Sequence, residues 1–110
     1  MEMAVGDAGG VKVVRIEGSL DTQSSPDFQS QLLGLIDQGA TKIVINFEKL
    51  DFISSSGLRV LLMAAKQLKG SGELRICSLN EVVYDSFDMS GFTTILTVTK
   101  TEREALDSLG

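Results

Sequence analysis

No histidine occurs anywhere in the sequence. That removes the imidazole base and metal ligand, so a Ser-His-Asp triad is impossible. A G-x-S-x-G nucleophile elbow is missing too, and no lysine has a recognisable placement as a substitute base. The lone cysteine, Cys77, has no second thiol for a disulfide or a metal-binding pair, and its apolar surroundings predict a small buried hydrophobe in a strand. Apolar runs are short: the longest, Val60 to Ala65, falls far below the ~20 residues of a membrane helix. The amino terminus, MEMAVGDAGG, has neither the basic region nor the apolar core of a signal peptide. A cytoplasmic location is expected.

Positive charge is also scarce, with 10 Lys and Arg against 15 Asp and Glu, a net charge of −5. Attraction to a phosphate backbone or an anionic lipid surface comes mainly from Lys and Arg, so neither direct nucleic-acid binding nor membrane insertion is expected. KGSGE at 69–73 is no phosphate loop, lacking G-x-x-x-x-G-K-[ST], and no cofactor is expected. The remaining composition, 43% hydrophobic and 23% charged over 110 residues, suits one domain spanning 1–110.

Hydrophobic periodicity orders the elements. MEMAV and VKVVRIEG around GDAGG predict an opening hairpin. In SSPDFQSQLLGLIDQG, Ser25 is the expected N-cap and Pro26 the first helical residue. Phe28, Leu32, Leu35 and Ile36 share one face, and Gly39 is the stop. KIVINF at 42–47 reads as a buried strand, with Glu48 and Asp51 on a solvated loop edge. Leu58, Leu61, Leu62 and Ala65 mark a helix from Ser56, ended by KGSG. ELRICSL is a strand, NEVVYDSFDMSG a short helix capped by Asn80, and TTILTV a last strand. TEREALDSL closes with Thr101 and Glu104 spaced as a capping box. Phe87, Met89 and Phe92 are expected in the core rather than around a cofactor.

Strand–helix alternation from 42 to 98 predicts right-handed crossovers and a parallel core, which the hairpin makes mixed. Function in such sheets gathers beyond the carboxyl ends of the strands. There stands the stretch DFISSSGLRVLL, residues 51–62. One serine at a helix start is a cap, worth ~1 kcal/mol. Three exceed that need. A phosphate on one of them would add about −1.5 to −2 charges at a helix amino terminus. Residue chemistry alone leaves both readings open, the cap being the simpler.

INFEKLDFISSSGLRVLLMAAKQLKGSGELRICSL, with EGSLDTQSS before it and DSFDMSGFTTIL after it, resembles STAS-domain anti-sigma-factor antagonists in family order along nearly the whole chain. The resemblance implies an α/β fold, a single STAS-like domain with a mixed four- to five-stranded sheet and helices packed largely on one side. It implies an unphosphorylated form that binds an anti-sigma serine kinase and releases its sigma factor. Phosphorylation of a loop serine ends that contact, and a serine phosphatase restores it. The protein is then a substrate and binding module rather than an enzyme.

Aligning the family pattern D-S-[ST]-[GA]-L on Gly57 and Leu58 makes Ser55 the acceptor, with Ser54 and Ser56 as alternatives. Ser54 departs from the pattern, standing where many members carry aspartate. Asp21, Ser54, Ser55, Ser56, Gly57, Leu58 and Arg59 form the expected partner-binding set. Asp21 is equally well explained as a turn residue, and Arg59 as a solvated helix arginine. The alternative left open is a STAS-like partner subunit of a lipid-transport ATPase or of a stressosome-type assembly.

Overall fold

The computed structural model describes residues 1–109. A hairpin opens it: β1 (Glu2–Ala8) pairs antiparallel with β2 (Val11–Leu20). Strand pairing runs through Gly6, Asp7 and Ala8, so the expected five-residue loop contracts to Gly9 and Gly10. Their φ values of +59° and +89° meet the demand of a two-residue turn for positive φ at both positions.

Then follow α1 (Ser25–Asp37), β3 (Lys42–Ile53), α2 (Ser55–Leu68), β4 (Glu73–Cys77), α3 (Glu81–Met89), a 3₁₀ turn (Phe92–Thr94), β5 (Thr97–Thr99) and α4 (Glu102–Asp107). The five strands lie in chain order, β2 through β5 all parallel, so the expected mixed sheet is observed.

Alternation along the strands divides the apolar residues between two faces. Val14, Ile16, Ile43, Ile45, Leu74 and Ile76 meet α1, α2 and α3 in the main core, which includes Phe28, Leu32, Leu61, Val83 and Phe87. Val11, Val44 and Cys77 point the other way, under Ala105 and Leu109 near α4. Three helices thus share one side and the fourth covers part of the other. Cys77 is fully buried, and loss of solvent pushes its thiol pKa up.

Several expectations need correction. The N-cap of α1 is Ser24 rather than Ser25, because the chain already turns at Asp21, whose carbonyl accepts from the Ser25 N–H at 3.0 Å and from its hydroxyl. Strand β3 runs on past Phe47 to Ile53, held by pairing with β2 across two register shifts and by burial of Leu50 and Ile53. Glu48 and Asp51 are therefore exposed strand residues and not a loop edge.

Met89 is not in the core: it is 88% exposed. Helical geometry puts it about 200° from Phe87, which faces inward with Val83. The last strand is Thr97–Thr99 rather than TTILTV at 93–98, since a left-handed Gly91 at φ +77° starts the 3₁₀ turn that absorbs Phe92–Thr94. Asn80 and Thr101 cap as expected, accepting from the Val83 N–H at 2.8 Å and the Glu104 N–H at 3.1 Å. Glu104 meets the Thr101 hydroxyl at 3.2 Å.

Candidate functional site

The three serines occupy a strand-to-helix junction without a loop. Ile53 ends β3, Ser54 remains extended at φ −88° and ψ 171°, and α2 begins at Ser55. The Ser54 Oγ accepts from the Gly57 N–H at 3.4 Å, a long capping bond. Its own N–H donates to the Leu20 carbonyl at 2.7 Å, and its carbonyl accepts from Leu58 at 3.0 Å. Ser54 is thus committed to structure through backbone and side chain.

Ser55 is exposed at the first helical position, while Ser56 is half-buried. Leu58 turns inward at 5% exposure and anchors the first turn in the core. Arg59 is exposed, and among the described residues no carboxylate lies within ion-pair distance of it.

Gly57 is required by space rather than by backbone conformation. A Cβ at this position would stand 2.8 Å from Ile53 Cγ1 and 3.1 Å from Leu20 Cβ. The first turn of α2 therefore lies tightly on the ends of β2 and β3, where Leu20 and Ile53 are paired in register.

Asp21 follows Leu20 directly, so the Leu20–Ser54 bond brings its turn to the same end of the sheet. Its Oδ1 accepts from the N–H groups of Gln23 and Ser24, each at 2.9 Å, and from the Ser24 hydroxyl at 3.1 Å. The Ser24 N–H and hydroxyl hold its carboxyl below the usual aspartate range. The sheet end thus gathers Asp21, Ser54, Ser55, Ser56, Gly57, Leu58 and Arg59, with Gly57 and Leu58 as its buried support. A cavity of about 260 Å³ elsewhere is lined by Arg15, Glu17, Asn46 and Glu48 among others, and by none of residues 54–59.

Sequence reasoning missed two features here. One is the seat for Gly57 on Leu20, which no local pattern reveals because the two residues lie on different elements. The other is Phe52, 47% exposed just before the junction. An aromatic in an apolar strand reads as core, and only the tertiary arrangement shows it outside.

The family model of the STAS domain matches residues 3–105. The chain belongs to the STAS domain family. BtrV of Bordetella bronchiseptica, a candidate anti-sigma factor antagonist, is 32% identical over 106 residues, covering 96% of this chain and 91% of BtrV. The anti-sigma F factor antagonist of Paenibacillus polymyxa is 34% identical over 102 residues, 91% of this chain and 87% of that protein. Among solved structures, the anti-sigma factor antagonist SpoIIAA in its unphosphorylated form is 28% identical with a TM-score of 0.83, covering 97% of this chain and 95% of that one. The phosphorylated form of SpoIIAA, a Bacillus cell fate determinant, is 27% identical with a TM-score of 0.74 over 99% of this chain and 100% of its own.

For a STAS domain, the mixed sheet and the three helices on one face are the expected architecture. Within this STAS domain the serine junction is rigid, since its cap, its backbone bond to Leu20 and its glycine seat all fix it to the sheet. No helix among the described residues is long and apolar enough to cross a membrane.

Proposed function

We propose that this chain is an anti-sigma-factor antagonist working as a phosphorylation switch. Its unphosphorylated form binds an anti-sigma serine kinase in the cytoplasm and frees the kinase's sigma factor. Phosphorylation of Ser55 ends that binding, and a serine phosphatase restores it. The chain is substrate and binding module, while ATP belongs to the kinase. Its relatives support the class of function, since two are named as antagonists and SpoIIAA is known in unphosphorylated and phosphorylated forms.

The observation that carries the choice of acceptor is the different standing of the three hydroxyls. Ser54 serves as the cap and Ser56 is half-buried, whereas Ser55 is exposed and its hydroxyl has no hydrogen-bond partner among the described residues. A kinase can reach it without opening the helix. Added charge at a partner-covered position, by analogy with a broken buried ion pair, costs ~3–5 kcal/mol. At 1.4 kcal/mol per decade that weakens binding roughly a hundred- to several-thousand-fold. The site needs no conformational change to act as an off switch.

Phosphosite mapping tests the proposal on protein from its native host and after incubation with the kinase and ATP. Trypsin releases LDFISSSGLR, residues 50–59, carrying all three serines. Fragmentation is expected to place the phosphate on Ser55, and Ser55→Ala should keep kinase binding while resisting inactivation. A phosphate on Ser54 or Ser56 instead, or undiminished phosphorylation of Ser55→Ala, sinks the assignment.

A further inference from the structure

Helix α3 has two apolar sides. Val83 and Phe87 face the core, with Phe87 edge-on to Phe47 at 6.3 Å between ring centroids. On the outside, Val82 at 60% exposure and Met89 at 88% stand seven residues apart, which places them on one face about 10 Å from each other. Five of the six large exposed hydrophobic side chains among the described residues are Phe52, Val82, Tyr84, Met89 and Ile95. Val82 and Met89 share one face of α3, while Tyr84 lies about 200° around the helix from Val82, so the exposed apolar face of this helix is the Val82–Met89 pair.

The charges carried by α3 itself have one sign. Glu81, Asp85 and Asp88 are exposed on the nine residues of α3, which carry no Lys or Arg. Among the described residues none of the three is ion-paired; Asp88 only accepts from the Thr93 hydroxyl at 3.2 Å. Unpaired carboxylates beside exposed aliphatic groups complement a partner surface that is apolar at its centre and basic at its rim.

The fold also sets where this face lies. The Asn80 side chain donates to the Leu50 carbonyl at 2.8 Å, tying the start of α3 to the end of β3. Two residues beyond Leu50 is exposed Phe52, and two beyond that is Ser54. The Phe47–Phe87 contact then makes α3 run back alongside β3, so Val82 is at the serine end and Met89 farther off.

We infer that the outer face of α3 is a second docking surface, built from Val82 and Met89 with Glu81, Asp85 and Asp88. Its occupant is a basic-rimmed apolar surface on the same kinase that reads Ser55, so the inference rests on the antagonist reading. Phe52 bridges the two contacts along β3. The serine end supplies the switch, and α3 supplies affinity and choice of kinase.

The test uses the full chain and the purified anti-sigma kinase of the same host, with binding measured by calorimetry and association rates at low and high salt. Val82→Ser with Met89→Ser should weaken binding about tenfold or more. Glu81→Gln with Asp85→Asn and Asp88→Asn should slow association and flatten its salt dependence. Circular dichroism confirms that both variants fold. If both bind and associate like wild type while Ser55→Asp binds weakly, the antagonist reading stands and the α3 surface is overturned. A wild-type chain that does not bind the kinase removes both. Sedimentation showing a wild-type dimer that Met89→Ser dissociates assigns the face to a second copy of this chain and overturns the inference as well.

Discussion

Ser54 donates its backbone N–H to the carbonyl oxygen of Leu20 at 2.7 Å, joining the end of β2 to the start of α2. Leu20 also limits the space at Gly57 and immediately precedes Asp21. One residue therefore connects the aspartate turn, the cap and the glycine seat. The candidate partner surface is a rigid corner of the sheet, and its shape depends on close packing as much as on its polar groups.

Gly57→Ala tests that packing. A helical alanine ordinarily gains up to ~1 kcal/mol over glycine. Overpacking costs about 1–3 kcal/mol, so the net outcome expected is a loss of up to about 2 kcal/mol. Urea denaturation measures it. A variant more stable than wild type would show that Ile53 yields freely and that the seat is not tight.

Ser54 tests the cap. Ser54→Ala should lower stability by ~1 kcal/mol. Ser54→Asp keeps an acceptor and adds a negative charge at the positive end of α2, for an expected gain of about 0.3–1 kcal/mol at low salt. That gain should shrink in concentrated salt. If the alanine variant matches wild type, the 3.4 Å bond to Gly57 contributes nothing and capping does not explain this serine.

Asp21 gives a pH signature. Its folded-state pKa lies below the ordinary value because the Ser24 and Gln23 groups donate to the ionised carboxylate. Its contribution to stability is therefore fully present above the unfolded value of about 3.9, and is lost as pH falls through the depressed folded pKa. Asp21→Ala should be less stable than wild type at neutral pH, with the gap closing in acid below about pH 4. Thermal melts across about pH 2–7 read this out. A constant gap throughout would assign the loss to packing instead of charge.

Much of the fold was legible because its signals are local. Leu58, Leu61 and the residues around them recur at helical spacing, Asn80 and Thr101 precede their helices as caps, and GDAGG marks a hairpin, although its turn shrinks to Gly9 and Gly10. The errors fall where a distant residue decides. Ser25 loses the cap to Ser24 because Asp21 turns the chain early. Phe47 does not end β3, because Leu50 and Ile53 find burial against the core farther along.

The sequence by itself determined the class of chemistry. Without histidine no imidazole-based catalysis is open to it, and the order of its three motif segments is that of a STAS domain. Helix periods, strand content and the serine-rich start of α2 depend on neighbours within a turn or a strand, so they can be read along the chain. Only the tertiary structure decided how the three serines stand, with Ser54 held by Gly57 and Leu20, Ser56 half-buried and Ser55 exposed. It alone turned Met89 and Phe52 outward. Exposure depends on what packs against a side chain, and that is set by contacts between elements far apart in sequence.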